Sequence, residues 1–405
     1  MGIEVTPQRL PAPPPEAAAA ESRFRRFLDV ARGRRRPLLQ LQHNPDPDAL
    51  ASAFALRHVW KRIFRVDPVI AFTGSVGRAE NRAMMRYLKI EIRPAFKVNY
   101  RHHDLVMTVD TQPGAGTCRL PEGVFVDIVV DHHPKLPRLV EPTLSLQDET
   151  YGATSTLVGE MLLGNGIVVP QRVATALVYG IQTDTADLAR NVSKHDEEVF
   201  AALYPLADHK LLGRIQRARV PESYFRAIEL GLREAQVHDA AVSTHLGEIE
   251  HPDLVAEVAD LLFRLEGMDW SFVTGSHARV LYASLRCIEK EGLDAGAVAH
   301  FVAQGTPKGS GGGHETLAAA QLPLPTGQPA QAAHAAALER FFTATGPKRV
   351  SRRPLTPFTA PPTPNLSDSS DKNGPSPAPP PVRPESFRPR KIPPPSAPPN
   401  SGETS

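Results

Sequence analysis

The chain has 405 residues, a formal net charge of +2 and a hydrophobic fraction of 41%. This length allows two ordinary domains with tails, and the near-balanced charge argues against a partner that binds by overall charge alone. No apolar stretch is long enough to cross a bilayer, the N-terminus lacks a basic region followed by an apolar core, and Cys118 and Cys287 give neither a disulfide framework nor a zinc spacing. We therefore expect a cytoplasmic protein with no membrane partner.

The N-terminal region divides into two parts. Residues 1–21 are rich in Pro and Ala and poor in large apolar residues, which predicts disorder. Residues 22–36 predict a short basic helix in which Phe24 and Phe27 alternate with arginines. This helix either packs on the first domain with a solvated basic face or contacts nucleic acid, and we favour the packing interpretation.

Residues 22–207 are predicted to form the first domain, because strand and helix patterns alternate along them. Such alternation is typical of an α/β domain with a mostly parallel sheet covered on both faces. Besides the apolar segments described next, the pattern predicts a strand at 68–72 and helices at 48–62, 78–88, 153–163 and 171–179.

Four apolar segments of this domain, interpreted as strands, each end in acidic or histidine residues. Ligands of open α/β sheets bind at the carboxyl ends of strands, and buried carboxylates and imidazoles are costly unless they hold something, so we predict a divalent metal site. Helix capping by Asp48 or turn initiation by Asp110 would explain single residues but not the set. Segment 38–42 leads into His43, Asp46 and Asp48, and segment 105–109 leads into Asp110. Segment 124–130 leads into Asp131, His132 and His133, and segment 174–181 leads into Asp184.

The second half of the chain predicts a smaller α+β domain at residues 238–325, joined to the first by a helical connector at 208–237. Residues 326–350 could form one more helix. In residues 351–405, 17 of 55 residues are proline, which predicts a disordered tail that could dock an unknown partner.

The ordered set of acidic and histidine motifs resembles motifs I to IV of the DHH phosphoesterases. A glycine-rich stretch from Gly311 to His314 resembles the signature of their second, DHHA1-type domain. The likeness runs over about residues 37–324 and is greatest to the short two-domain members of the oligoribonuclease/pAp-phosphatase type. It implies an active site between a parallel-sheet DHH domain and a smaller DHHA1-type domain.

The resemblance also implies roles for individual residues. Asp110 would bridge two metal ions, His133 would face the phosphate and Asp131 would fix a histidine tautomer. Oxygen ligands mixed with imidazole suit Mn²⁺, with Mg²⁺ as a second choice. The expected metal ligands are His43, Asp46, Asp48, Asp110, His132 and Asp184. The expected substrate-binding residues are Arg286, Gly311, Gly312, Gly313 and His314.

Two departures from the family pattern bear on activity. The family usually has a histidine ligand at the position of Gln42, and here histidine follows at position 43. Three outcomes are open: His43 substitutes, the first metal site is weakened, or one metal site is lost. After His314 the chain has Glu315 where the family has lysine, which could shift substrate preference.

The expected function is manganese-dependent hydrolysis of small nucleotides: short single-stranded oligoribonucleotides, pAp or dinucleotides. One alternative is a DHH-superfamily inorganic pyrophosphatase, although the basic signature of that group's second domain is absent. Another is a nucleotide-binding regulatory protein that has lost its chemistry through Gln42. Assembly into a homodimer is left open.

Overall fold

The computed structural model describes residues 15–137, 140–346 and 352–355. Residues 1–14, and the proline-rich tail apart from 352–355, lie outside the described residues. Where the predicted disorder can be compared with the structure it differs: residues 15–21 are helical, as the start of Pro15–Ala31, and Arg352–Pro354 form a short strand. Within the described part, no helix combines the length and apolar character needed to cross a membrane.

The first sheet has six parallel strands in the order β3-β2-β1-β4-β5-β6. Its strands are β1 (Pro37–His43), β2 (Val69–Thr73), β3 (Arg93–Pro94), β4 (Leu105–Val109), β5 (Ile128–Asp131) and β6 (Leu144–Gln147). The strands β1, β4 and β5 are almost wholly buried, as expected for a parallel sheet covered on both faces. The predicted parallel α/β domain is confirmed, and the short strands β3 and β6 are additions to the prediction.

The helices around this sheet are α1 (Pro15–Ala31), α2 (Pro47–Val59) with a π-helical turn at Trp60–Phe64, α3 (Ala79–Leu88), α4 (Thr154–Gly164), α5 (Gln171–Asp184) and α6 (Lys194–Leu203). The basic helix α1 packs on the domain: Phe27 is fully buried and its ring lies 6.0 Å from that of Trp60, edge to face. Its Arg23 donates hydrogen bonds to Asp148 and Glu160. These contacts agree with the packing interpretation.

Segment 174–181 falls under two conflicting predictions, a strand end and the helix at 171–179, and the helix is the one confirmed. Residues 174–181 belong to helix α5, which continues to Asp184, and not to a strand. The helix is buried beside α2, and its small residues permit close approach: a Cβ added to Gly180 would lie 3.1 Å from that of Ala51. Burial on most sides removes the amphipathic pattern that separates helix from strand. Asp184 therefore reaches the site from a helix C-terminus.

The second sheet is mixed, with seven strands in the order β11-β12-β10-β9-β8-β7-β13. Helices α7 (His209–Gln216) and α8 (Glu222–Glu234) connect the two sheets, as predicted. They lead into β7 (Gln236–His238), β8 (Ala241–Glu248), α9 (Asp253–Leu262), β9 (Trp270–His277), β10 (Val280–Cys287), α10 (Ala295–Ala303), β11 (Ser310–Gly313), β12 (Leu317–Pro323), α11 (Ala330–Thr345) and β13 (Arg352–Pro354). Each sheet has its own buried apolar clusters, which matches two domain cores.

Candidate metal centre

The polar residues that follow β1, β4 and β5 meet at one edge of the first sheet. These three strands are neighbours, so their carboxyl ends lie side by side. The N-terminus of α4 and the C-terminus of α5 reach the same place, because Thr154 and Asp184 contact residues from the strand ends. The site is therefore built from elements that are distributed along the whole first domain.

Asp110 is at the centre of this edge. It follows β4 with φ of 58°, a left-handed conformation that is uncommon outside glycine, and it is 2% exposed. Its Oδ1 accepts a hydrogen bond from Thr154 Oγ1 at 2.9 Å, and its Oδ2 accepts one from Gln42 Nε2 at 3.0 Å. Burial, followed by the charges of Asp46 and Asp48, raises the pKa of Asp110 well above its ordinary value.

Asp46 and Asp48 have different local roles. Asp46 is the N-cap of α2, and its Oδ1 accepts from the backbone N–H of Ala49 at 2.9 Å. Asp48 does not cap its own helix. Its two carboxylate oxygens accept from the backbone N–H groups of Thr154 and Ser155, both at 2.7 Å, at the start of α4. Burial and then the charge of Asp184 raise the pKa of Asp48 to about 7.

His132 is held in one orientation, and one of its ring nitrogens has no hydrogen bond. Nδ1 lies 3.1 Å from the carbonyl oxygen of Tyr151, which fixes the ring. Nε2 is buried and makes no hydrogen bond in the described part of the chain, although it lies 3.1 Å from Asp184 Oδ2 and 3.7 Å from Asp110 Oδ1. Burial alone would lower the pKa of His132, but the neighbouring carboxylates, Asp184 first, raise it to about 10.

These side chains fit a divalent cation. Asp48, His132 and Asp184 offer ligand atoms within 4.8 Å of one another, and so do Asp110, His132 and His133. Both groups share His132, whose Nε2 is a buried polar atom without a hydrogen bond. Carboxylate oxygens with one imidazole suit Mn²⁺ or Mg²⁺, and a cation would relieve the repulsion between the buried carboxylates.

Two expected ligands lie outside both groups. His43 turns to Thr73, with Nδ1 3.1 Å from Thr73 Oγ1, and burial together with the charge of Arg119 lowers its pKa to about 4. Asp46 uses one oxygen for the helix cap and accepts from Gln42 Nε2 with the other, at 2.7 Å. The structure therefore does not bring His43 into the carboxylate cluster, and it engages both oxygens of Asp46 with N–H donors.

His133 is oriented by Asp131. His133 Nδ1 donates to Asp131 Oδ1 at 2.7 Å, and Asp131 Oδ2 accepts from Gln112 Nε2 at 3.0 Å. With Nδ1 engaged, Nε2 is the nitrogen left for another partner. The imidazole is about one-third exposed, and its ring stacks on that of His314 from the second domain, with centroids 5.6 Å apart. The two domains therefore meet beside the cluster.

The other expected substrate-binding residues are in the second domain. Arg286 is 5% exposed, with Nε 2.5 Å from Asp260 Oδ1 and Nη1 donating to Ser284 Oγ. Its guanidinium is thus already paired with an acid. The glycine-rich stretch forms the edge strand β11, not an open loop. Only one of its central glycines has space around it: a Cβ on Gly312 would meet no atom within 4 Å.

Several residues of the site were missed by the sequence analysis. Thr154 donates a hydrogen bond to Asp110, and Gln112 donates one to Asp131. Gln147 Nε2 donates to the backbone carbonyl of His133 at 2.7 Å. Arg119 lies near His43 and donates to Gln321 Oε1 of the second domain at 3.1 Å. The only sequence signal was proximity, since Gln112 comes two residues after Asp110.

The metal-free protein is expected to lose stability as the pH rises from about 6.5 to about 8, above the range in which the lowered pKa of His43 acts in the opposite direction. The folded-state pKa values of Asp48 and Asp110 lie above the ordinary value, so these carboxylates bind more protons in the folded state than in the unfolded chain. The free energy of unfolding therefore falls as a rising pH removes these protons. The raised pKa of His132 acts in the same direction above its ordinary value. Thermal unfolding in EDTA should show a fall in Tm on the order of 5 °C. Excess Mn²⁺ should remove most of that fall, and a metal-free Tm that rises with pH would contradict the electrostatics described.

Comparison with known proteins agrees with this geometry. Residues 39–181 match the model of the DHH family, N-terminal domain. An uncharacterised protein of Methanocaldococcus jannaschii is 32% identical over 291 residues, which cover 71% of this chain and 58% of that protein. A probable manganese-dependent inorganic pyrophosphatase of Streptococcus pyogenes is 28% identical over 171 residues, which cover 42% of this chain and 54% of the pyrophosphatase. The chain thus spans little more than half the length of these curated relatives.

A solved structure has the same fold over most of the chain. The crystal structure of an exopolyphosphatase-related protein from Bacteroides fragilis matches with a TM-score of 0.61 and 14% sequence identity, covering 80% of this chain and 98% of that chain. At this identity the likeness concerns the fold, which includes both sheets.

Proposed function

We propose that this chain, whose residues 39–181 match the model of the DHH family, N-terminal domain, is a metal-dependent hydrolase of phosphoesters, with Mn²⁺ as its cofactor and small nucleotides as its substrates. The observation that carries the proposal is the buried Nε2 of His132. Among the described residues it meets no acceptor with hydrogen-bond geometry, although it lies 3.1 Å from Asp184 Oδ2 and 3.7 Å from Asp110 Oδ1. The similarity to proteins described as manganese-dependent pyrophosphatases supports the choice of Mn²⁺.

The chemistry is divided between the cation and the side chains around it. Asp48, Asp110, His132 and Asp184 would hold a divalent cation, which would supply positive charge that favours deprotonation of water and stabilises the anionic transition state of phosphoester hydrolysis. Asp131 holds the imidazole of His133 through Nδ1, so that Nε2 can donate a hydrogen bond to a phosphate oxygen. Tyr151 orients His132 through its carbonyl group.

The position of the second domain supports a small substrate. His314 stacks on His133 at 5.6 Å, and Arg119 reaches Gln321, so the second domain lies directly over the cluster. A substrate between the domains would meet the edge strand β11, where the open face of Gly312 allows close approach of a phosphate or a base. Short oligoribonucleotides, pAp and dinucleotides suit such a site.

A matched pair of alanine variants tests the role of the glycine-rich strand. In Gly311→Ala the added Cβ would lie 2.3 Å from the carbonyl oxygen of Ala299, so we expect a loss of about 1–3 kcal/mol in unfolding free energy. In Gly312→Ala we expect stability within about 0.5 kcal/mol of wild type but a several-fold higher KM. Chemical unfolding and steady-state kinetics provide the two readouts. An unchanged KM in Gly312→Ala would remove this strand from the substrate site.

Inorganic pyrophosphate is the second candidate substrate, because the S. pyogenes relatives at 28% identity are described as pyrophosphatases. The substrates can be ranked by measuring product release from a 5′-phosphorylated diribonucleotide, pAp and pyrophosphate, each with Mn²⁺ and with EDTA. We expect Mn²⁺-dependent release of mononucleotide from the diribonucleotide or of phosphate from pAp. Faster turnover of pyrophosphate would favour the second candidate. No turnover of any substrate, with tight nucleotide binding, would favour a regulatory protein.

A further inference from the structure

The side-chain amide of Gln42 lies between two carboxylates of the cluster. Its Nε2 donates to Asp46 Oδ2 at 2.7 Å and to Asp110 Oδ2 at 3.0 Å. An amide NH₂ group has two hydrogens and no lone pair that can bind a metal, so it satisfies both carboxylates as a donor. Gln42 thus joins Asp46 and Asp110 in the way that a cation between them would.

The same hydrogen bonds occupy the carboxylate oxygens that a cation between Asp46 and Asp110 would need as ligands. Asp46 uses Oδ1 for the N-cap of α2 and Oδ2 for Gln42. Oxygen ligands must approach a small divalent ion to about 2.1 Å, which would require the Gln42 amide to leave the gap. Among the described residues, neither group of potential ligands contains Asp46 or His43.

On the other side of Asp110, the ligands remain together. Asp110 Oδ1 lies 3.7 Å from His132 Nε2, and Asp184 Oδ2 lies 3.1 Å from the same nitrogen. Asp48 joins His132 and Asp184 in one group of potential ligands, and Asp110 joins His132 and His133 in the other. Asp48 also accepts two backbone N–H groups, so N–H contacts alone do not exclude a cation. What separates the two sides of Asp110 is the Gln42 amide, which joins Asp46 to Asp110, whereas the position next to His132 Nε2 has oxygen donors close to a nitrogen donor.

We infer that this protein holds a single divalent ion per chain, next to His132, and that the amide of Gln42 takes the place of a second ion between Asp46 and Asp110. The inference rests on the proposed metal-dependent function and departs from the expectation of two ions. A neutral amide satisfies the two carboxylates but supplies no positive charge. Stabilisation of the substrate's negative charge must then come from the one ion and from side chains such as His133.

The test is the number of manganese ions bound by the purified full-length protein in the absence of substrate. Equilibrium dialysis followed by elemental analysis gives the ratio of manganese to chain, and electron paramagnetic resonance separates an isolated Mn²⁺ from a spin-coupled pair. We expect one isolated ion in wild type. In Gln42→His the imidazole offers a ligand in place of the amide, so we expect a second ion and a spin-coupled signal.

His43→Gln is the matched control, because it removes an imidazole at the neighbouring position that turns to Thr73. We expect it to keep one ion. Two ions in wild type would overturn the inference, and the loss of one of them in His43→Gln would assign that ligand to His43. A folded Gln42→His protein that still binds one ion would also overturn it, since the amide would not be what excludes the second ion. The ratio of manganese to wild-type chain tests the single-ion inference even if Gln42→His fails to fold.

This measurement separates the inference from the proposed function. Two ions in wild type would contradict only the single-ion inference and leave the hydrolase intact. No bound manganese at all would overturn both. One ion with no hydrolysis of any substrate would support the single-ion inference and contradict the proposed activity.

Discussion

Asparagine at position 110 is expected to abolish hydrolysis while leaving the metal-free protein at least as stable as wild type. Asp110 is a buried carboxylate whose pKa is raised by burial and by neighbouring carboxylates, so the neutral amide removes repulsion in the absence of metal. The new amide can direct its oxygen to Gln42 Nε2 and its NH₂ to the Thr154 hydroxyl, so both hydrogen bonds are retained. The loss in Mn²⁺ affinity should exceed the roughly 10–100-fold typical of residues that only support ligands.

Three measurements on Asp110→Asn separate these effects: turnover with saturating Mn²⁺, Mn²⁺ affinity, and Tm in EDTA. The control is Asp67→Asn, which breaks a surface ion pair with Arg57 and should leave turnover and Mn²⁺ affinity unchanged. Wild-type turnover in Asp110→Asn would show that the carboxylate is not needed. A large drop in the metal-free Tm would show that its charge stabilises the fold, against the electrostatics described here.

Loss of the His133 imidazole is the second substitution with a large expected effect. In His133→Ala we expect kcat to fall by about 10²–10⁴-fold, the range for a group that transfers a proton or stabilises charge in the transition state. Mn²⁺ affinity should change little, because the cation position is next to His132 and Asp184. Asp131→Asn keeps the ring of His133 but removes the carboxylate that fixes its tautomer, so its loss in kcat should be smaller.

The readouts for these two variants are kcat and Mn²⁺ affinity. Asp131→Asn should lower kcat with little change in Mn²⁺ affinity, because the Nδ1 of His133 would lose the carboxylate that orients the ring. A His133→Ala variant that has lost Mn²⁺ binding would instead identify His133 as a ligand, through the group that it forms with Asp110 and His132.

The convergence of Asp48, Asp110, His132 and Asp184 followed from simple rules on sequence patterns. Two buried strands end directly at Asp110 and Asp131, and parallel strands put such ends on one edge of the sheet. Asp184 was placed there for a partly wrong reason. The sequence supports both a strand that leads into Asp184 and a helix at 171–179. The helix is correct, and the C-terminus of α5 brings Asp184 to the same edge.

The roles that the sequence could not predict depend on contacts between distant segments. Nothing local to Gln42 indicates that its amide would reach Asp110, 68 positions away, or that Asp48 would receive the N-terminus of α4. The sequence alone leaves open whether His43 can replace the ligand expected at position 42. Successive residues of a strand point to opposite faces, so His43 turns to Thr73 while Gln42 turns to the carboxylates.

For the glycine-rich stretch, the sequence pattern does not distinguish glycines needed for packing from glycines open to a ligand. Its composition resembles a phosphate-binding loop, but Gly311 is required by close packing against helix α10, where any Cβ would meet the carbonyl of Ala299. Only the three-dimensional contacts separate Gly311 from Gly312. Arg286 is similar, because pairing with Asp260 on α9 cannot be inferred from its position at the end of β10.

The most direct test of the metal centre is a crystal structure of the Mn²⁺-soaked protein, with anomalous diffraction measured at the manganese edge. We predict an anomalous peak at bonding distance from His132 Nε2 and from carboxylate oxygens of Asp48, Asp110 and Asp184. A structure in which His132 Nε2 has no manganese neighbour at saturating Mn²⁺, or in which the ion is bound elsewhere, would contradict the account.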